Sequence, residues 1–144
     1  MKPQNGSAAS PEWADCWVDA SRDFSHARCL LSGGFAEWAA FSACRGAERA
    51  LTSVLLGLGL EVDCRGPVAL MHKLRSEIEV PEELPPAAVE LARYRMTTSC
   101  IGEEADETPT DPPPDAMALL RTDAEVAVAL AGRIEEFCRE HLPR

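Results

Sequence analysis

The sequence predicts an all-α protein that folds as one up-and-down bundle of four or five helices. Each long apolar segment repeats its large side chains at steps of three and four residues, which is the spacing of one helix face. No segment alternates apolar and polar residues as a strand does, and no hairpin turn separates two β-branched runs. A chain of 144 residues has the size of one domain. We therefore expect a single core.

The first predicted helix follows a polar arm, residues 1–9, which we expect to be disordered, so that the domain spans residues 10–144. Ser10 is a typical N-cap and Pro11 suits the first helical position. Gly33 and Gly34 end the helix. We expect the three tryptophans, Trp13 and Trp17 here and Trp38 in the second helix, to lie in the core, with an interface as the alternative. Its apolar face consists of Trp13, Cys16, Trp17, Ala20, Phe24, Ala27 and Leu31.

The second predicted helix is the longest, from about Phe35 to Leu58. Gly46 lies in its middle, where glycine costs about 1 kcal/mol relative to alanine. A glycine at this position favours a close approach of another helix. The apolar face contains Trp38, Phe41, Ala47, Leu51, Val54, Leu55 and Leu58.

Two further helices are predicted in the middle of the chain. One runs from Pro67 to about Glu79, and the prolines between 81 and 86 interrupt it. The other begins near Pro86, continues through Met96 and ends in the polar run at 97–99. Residues 101–116 are acidic and rich in proline, with no Lys or Arg, so we expect a mobile acidic loop there.

The last predicted helix begins with a capping box. Thr122 and Glu125 have the S/T-x-x-E spacing, and apolar residues at helical spacing follow until about His141. Short connections between consecutive helices favour antiparallel packing around one core.

The charge balance argues against nucleic-acid binding. Twenty-four acidic residues against 14 basic ones give a formal net charge of −10, which repels phosphate backbones and anionic membranes. The longest apolar stretch, residues 54–60, is far shorter than the roughly 20 residues of a membrane helix. The first ten residues lack the pattern of a signal peptide. We expect a cytoplasmic protein with no membrane association.

The cysteines and histidines do not indicate a metal site or a cofactor. The six cysteines are scattered singly, without a C-x-x-C pair, so we expect small core residues. His26, His72 and His141 occur in no recognisable catalytic motif, and no phosphate-binding glycine loop is present. Asp19 and Asp23, four residues apart, could approach a divalent cation together with Glu48 across the bundle, but solvation of surface carboxylates is the simpler interpretation.

One group of charged residues is the candidate ligand site. Arg45 and Glu48 form an i,i+3 pair that by itself explains both as helix-stabilising. An anionic ligand or nucleotide, if one binds, is expected between this segment and the arginines of the fourth helix. The candidate ligand-binding residues are Arg45, Glu48, Arg49, Arg93 and Arg95.

The helices resemble those of the HEPN family, over about residues 13–142. Residues 17–27 (WVDASRDFSHA) resemble the family's pattern of an acidic residue and Ala, then Asp, an apolar residue and Ala. Residues 35–51 (FAEWAAFSACRGAERAL) resemble an aromatic segment that leads to Gln-Ala-x-Glu-Lys-Ala-Leu. Thr122–Glu125 with Ala131, Ile134 and Phe137 resembles the closing Asp-Ala-x-x-Ala helix. The resemblance implies a five-helix bundle that commonly forms homodimers.

The departures from the family pattern bear on function. Family members that cut RNA carry Arg, a short spacer and then His near the end of the helix before the last. Here Arg93 and Arg95 supply the arginine, yet no His follows before His141, so the usual acid–base group for attack by a 2'-hydroxyl is absent. The signatures of members that accompany a nucleotidyltransferase fall near residues 67–68 and 99–100, and both are lost.

From this resemblance we expect a module without catalytic activity and without a cofactor. It would act as a homodimer and bind a nucleotide or a nucleotidyltransferase-like partner in a toxin-antitoxin-type system. The alternative is a degenerate ribonuclease that uses Arg93 or Arg95 with another acid–base group.

Overall fold

A computed structural model describes residues 9–104 and 121–144, and over 96–104 it describes the backbone. This part of the chain contains five helices and no strand, which confirms the predicted all-α bundle. Residues 1–8 of the predicted arm (1–9) and residues 105–116 of the predicted acidic loop (101–116) lie outside the described residues. The helices are α1 (Glu12–Ser32), α2 (Ala36–Gly57), α3 (Pro67–Arg75), α4 (Leu84–Glu104) and α5 (Arg121–Glu140).

Helix α2 is the centre of the bundle and contacts all four other helices. Its face towards α1 is built largely from alanine, whose small side chain lets the two helix backbones approach closely. Leucines of α2, α3 and α4 fill the rest of the core, and Ile134 and Cys138 close it from α5. No helix within the described ranges is long and apolar enough to cross a membrane.

The start and end of α1 follow the prediction to within one residue. The helix begins at Glu12, and Ser10 Oγ accepts a hydrogen bond from the Glu12 N–H at 3.3 Å. At the other end the Gly33 N–H donates to the Cys29 carbonyl, and Gly34 takes the left-handed conformation at φ 88°. Gly33 and Gly34 therefore turn the chain into α2, as predicted.

The bounds of α3 and α4 differ from the predicted ones. α3 ends at Arg75, because the Ser76 and Ile78 N–H groups close the turn on carbonyls of the last α3 residues. α4 begins at Leu84 and includes Pro85 and Pro86 in its first turn, where a missing N–H breaks no helix hydrogen bond. It continues to Glu104, so residues 97–99 and 101–104 are helical rather than a helix end and a loop.

Two other expectations are wrong in detail. Thr122 lies inside α5, and the Glu125 carboxylate accepts a hydrogen bond from Arg121 Nε at 3.1 Å, so the predicted capping box is not what begins this helix. The tryptophans Trp13, Trp17 and Trp38 are half-buried rather than fully buried in the core, although Trp17 packs against the core cluster.

Candidate functional site

A buried carboxylate on α1 holds two of the predicted site residues. The Asp23 side chain is only 4% exposed. Its Oδ1 accepts hydrogen bonds from Arg45 Nε at 3.2 Å and from Arg45 Nη2 at 3.0 Å, and its Oδ2 accepts one from Arg49 Nη1 at 2.8 Å. Arg45 and Arg49 are four residues apart on α2, so both project from one face of that helix towards α1.

Gly46 explains why Asp23 can lie so close to α2. A Cβ atom placed at this glycine would stand 3.2 Å from the Asp23 Cβ, which is tighter than ordinary van der Waals contact. The close helix approach predicted from Gly46 is thus confirmed, and it brings the Asp23 carboxylate within reach of both guanidinium groups.

A second ion pair connects α2 with α4. Arg95 Nε lies 2.9 Å from Glu48 Oε2, and the Cys44 thiol donates to the same oxygen at 3.7 Å. Burial raises the pKa of Glu48 above its usual range, while the guanidinium of Arg95 acts in the opposite direction. Burial and the neighbouring Glu48 carboxylate both raise the pKa of the Cys44 thiol. This thiol therefore stays protonated at neutral pH.

Arg93 does not join these ion pairs. It pairs with Glu90 on its own helix at 2.6 Å, and its guanidinium lies 5.6 Å from the centre of the Tyr94 ring. The structure thus separates the five predicted residues. Arg45 and Arg49 share Asp23, Glu48 pairs with Arg95, and Arg93 is exposed elsewhere on α4.

The carboxylates of α1 do not form the cation site that their spacing allowed. Asp19 pairs with Arg22 at 3.6 Å on the surface, whereas Asp23 is occupied by the two arginines of α2. Within residues 9–95 and 121–144, no group of three His, Cys, Asp or Glu side chains could hold a metal ion. Asp23 is therefore a partner of arginines and positions α1 against α2.

The cysteines divide into buried and exposed ones. Cys44 and Cys138 are buried core residues, as predicted, while Cys29 is exposed, contrary to the prediction for the cysteines as a group. Cys16 and Cys64 are intermediate. His26, His72 and His141 are all exposed. None of these histidines hydrogen-bonds to Asp23, Glu48 or their arginine partners.

Arg95 lines a cleft between the start of α3 and α4, together with residues that the sequence analysis did not connect with it. Its volume is about 510 Å³. The sequence gives no indication of it, because its walls come from the turn before α3, from α3 itself and from α4. The lining residues are Arg65, Gly66, Pro67, Val68, Ala69, His72, Ala92 and Arg95.

Comparison with known families agrees with this fold. The family model described as HEPN domain matches residues 13–141. The chain belongs to the HEPN domain family. No curated protein gives a significant match to this HEPN chain.

Three solved structures resemble this HEPN protein. A protein from Thermus thermophilus is 30% identical, with a TM-score of 0.77, and the match covers 92% of this chain and 100% of that one. An HEPN domain protein from Thermotoga maritima is also 30% identical, with a TM-score of 0.66 over 88% of this chain and 95% of that one. An archaeal HEPN homologue is 22% identical, with a TM-score of 0.69, and the match covers 89% of this chain and 95% of that one. This likeness supports the fold.

Proposed function

We propose that this protein is a non-catalytic HEPN module of the cytoplasm. It acts as a homodimer and binds a nucleotide or a nucleotidyltransferase-like partner protein, in the manner of a toxin-antitoxin pair. The observation that carries the proposal is that both α4 arginines already form ion pairs with carboxylates. Arg95 is held by Glu48 and Arg93 by Glu90, and no histidine follows either of them before His141.

The physical reason is that RNA cleavage through a 2'-hydroxyl needs a general base and an acid near the phosphate. A guanidinium that already holds a carboxylate offers a phosphate less net positive charge than a free one does. The formal charge of −10 also works against an extended RNA chain. The homodimer is what the family resemblance implies.

The experiment that tests this proposal has two independent readouts. Sedimentation at micromolar concentration should give about twice the 15.6 kDa chain mass. Single-stranded and structured RNA should remain intact after incubation with metal-free and metal-loaded protein. A monomer would remove the dimer claim alone, and cleavage would remove the non-catalytic claim alone.

The partner can be tested separately. A small nucleotidyltransferase reading frame beside the gene is expected, and its product should co-purify with this protein after co-expression. Failure of an adjacent nucleotidyltransferase to co-purify, or an isolated gene, would argue against the paired system while leaving the homodimer intact.

The degenerate ribonuclease has one observation in its favour. His72 and Arg95 line the same cleft. An imidazole can transfer a proton, and a guanidinium can stabilise a phosphorane-like transition state. If this reading is right, RNA cleavage will be detectable and will be lost in both His72→Ala and Arg95→Ala. Arg75→Ala, which removes an exposed arginine outside the cleft, should leave such cleavage unchanged.

A further inference from the structure

A groove of about 620 Å³ lies between α1 and α5, and it shares no lining residue with the cleft at Arg95. The two helices are antiparallel. At one end Arg121 Nη1 donates a hydrogen bond to the Leu31 carbonyl at 2.9 Å. At the other end the Arg139 guanidinium lies 5.7 Å from the centre of the Trp17 ring. The α1–α5 groove therefore runs along both helices between these two contacts.

A buried carboxylate fixes two arginines in this groove. Glu135 Oε1 accepts a hydrogen bond from Arg28 Nη2 at 2.6 Å, and Glu135 Oε2 accepts one from Arg139 Nη2 at 3.1 Å. The Glu135 side chain is 10% exposed, whereas both arginine side chains are about half exposed. Each guanidinium keeps further N–H groups as donors. Because Glu135 already holds both side chains in place, a ligand that binds them orders less side-chain freedom.

Arg133 adds a third guanidinium to the lining. It is exposed and forms no ion pair with a carboxylate in the described part of the chain. Arg133 and Arg139 are six residues apart, which is about 9 Å along the axis of α5. The three arginines outnumber the two carboxylates of the lining, Glu135 and Glu136. The groove is therefore a locally positive surface on a chain whose formal net charge is −10.

The space between the arginines is lined by short side chains. Ser21 and Ser25 contribute hydroxyl groups from α1, and Ala129 lies opposite them on α5. A Cβ atom placed on Gly132 would meet no atom within 4 Å, so the groove is open there. Among the described residues that line the groove none is aromatic, so no ring is present on which a nucleobase could stack. Hydroxyl groups can donate to and accept from the backbone of a bound peptide.

We propose that the α1–α5 groove binds an acidic segment of a partner protein in an extended conformation, with its carboxylates on Arg28, Arg133 and Arg139. Alternate side chains of an extended chain point to one side and lie about 7 Å apart, so acidic residues at alternate positions can meet arginines spread along α5. A single small anion would leave part of this spread unused. The positive lining selects an acidic segment through charge complementarity. The inference goes beyond the proposed function and holds for any partner that carries such a segment.

The test uses the full-length protein and two short fluorescein-labelled peptides. One has Glu at every second position with Ser between, and the other has Gln in place of each Glu. Fluorescence anisotropy should show binding of the Glu peptide that weakens as salt is added, and binding of the Gln peptide at least about tenfold weaker. In ¹⁵N–¹H spectra the Glu peptide should shift the amide signals of Ser21, Ser25, Gly132 and Arg133, and leave those of α3 in place.

Variants test the site directly. Arg133→Ala should weaken binding of the Glu peptide about fivefold, because one exposed ion pair is lost. Arg133→Glu should abolish it through repulsion between like charges. Gly132→Leu directs a side chain into the open groove and should weaken binding by blocking it. Arg75→Ala is the matched control, since it removes an exposed arginine from α3 outside the groove and should change affinity by less than about twofold. Circular dichroism establishes that each variant is folded.

Four results would overturn the inference. They are equal affinity for the Glu and Gln peptides, no binding of the Glu peptide at about 1 mM, equal losses in Arg133→Ala and Arg75→Ala, and amide shifts confined to residues outside the groove. A sedimentation mass that falls in Arg133→Glu would replace the partner protein by a second copy of this chain. Tighter binding of single-stranded RNA than of the Glu peptide, lost in Arg133→Glu, would replace the acidic segment by RNA. The peptide titrations are independent of the RNA-cleavage test of the proposed function.

Discussion

A Cβ atom placed on Gly46 would lie 3.0 Å from two ring carbons of Phe24. The Phe24 ring therefore occupies the space that any side chain at position 46 would need. The helical cost of glycine is offset at this point by the contact of α1 with α2 and by the Asp23 ion pairs that the close approach permits.

Replacing Gly46 by Ala should destabilise the protein. The added methyl group gains about 1 kcal/mol of helix propensity, but overpacking against the Phe24 ring typically costs about 1–3 kcal/mol. The matched control is Gly132→Ala in α5, where a Cβ meets no atom within 4 Å and should stabilise by up to about 1 kcal/mol. Urea midpoints that move in opposite directions would support this assignment, and a stabilised Gly46→Ala would contradict it.

The two arginines on Asp23 should be energetically coupled. Either Arg45→Ala or Arg49→Ala leaves one cation on the buried carboxylate and should cost about 1 kcal/mol. The double variant leaves Asp23 buried without a partner and should cost about 3 kcal/mol or more, beyond the sum of the single changes. Arg22→Ala, which breaks an exposed pair with Asp19, should be nearly neutral. Strict additivity in urea unfolding would rule out a shared carboxylate.

Glu48 should lower stability as it ionises. Burial raises its pKa above the ordinary 4.5, so the folded protein binds its proton more tightly than the unfolded chain does. The resulting contribution to the free energy of unfolding is fully present below pH 4.5. It is lost as the pH rises through the raised pKa that Glu48 has in the folded protein. The free energy of unfolding of native protein minus that of Glu48→Gln should therefore be larger at about pH 4 than at about pH 7. A difference that instead grows with pH would show that the Arg95 pair outweighs burial.

Thiol alkylation should distinguish the cysteines. Burial raises the pKa of both Cys44 and Cys138, so few thiolates form there and the reagent has no access. Peptide mass spectrometry after iodoacetamide treatment at about pH 8 should show Cys29 labelled in the native protein and the two buried thiols labelled only in urea. Native labelling of Cys138 as fast as that of Cys29 would be inconsistent with the α5 packing.

Thr122→Ala should change stability very little. An N-cap threonine would lose about 1 kcal/mol on this substitution, but Thr122 is exposed within α5, where alanine is the better helix former by a few tenths of a kcal/mol. The denaturation midpoint should be unchanged or slightly higher. A loss of about 1 kcal/mol in the free energy of unfolding would instead show that Thr122 caps α5.

The fold was predictable because the helical period is present in every long apolar segment. The close approach of α1 to α2 at Gly46 was predictable because a glycine in the middle of a helix is costly unless a neighbouring helix needs the space. The ends of α3 and α4 were missed, since prolines can either stop a helix or open one. Arg93 and Arg95 are two residues apart, so they point to different sides of α4, and nothing in the sequence selects the one that meets Glu48. The role of Asp23 and the cleft at Arg65 depend on how separate helices pack, which no local pattern encodes.

The three-residue turn at Gly33–Phe35 gives the α1–α2 pair a kinetic advantage. Closing a short loop costs less chain entropy than closing a long one, so α1 and α2 can meet before distant segments of the chain do. α5 lies at the far end of the sequence and must find a surface on α2 that is already formed. We expect the α1–α2 hairpin to be the nucleus, with the Gly46–Phe24 contact already made in the transition state and α5 docking after it.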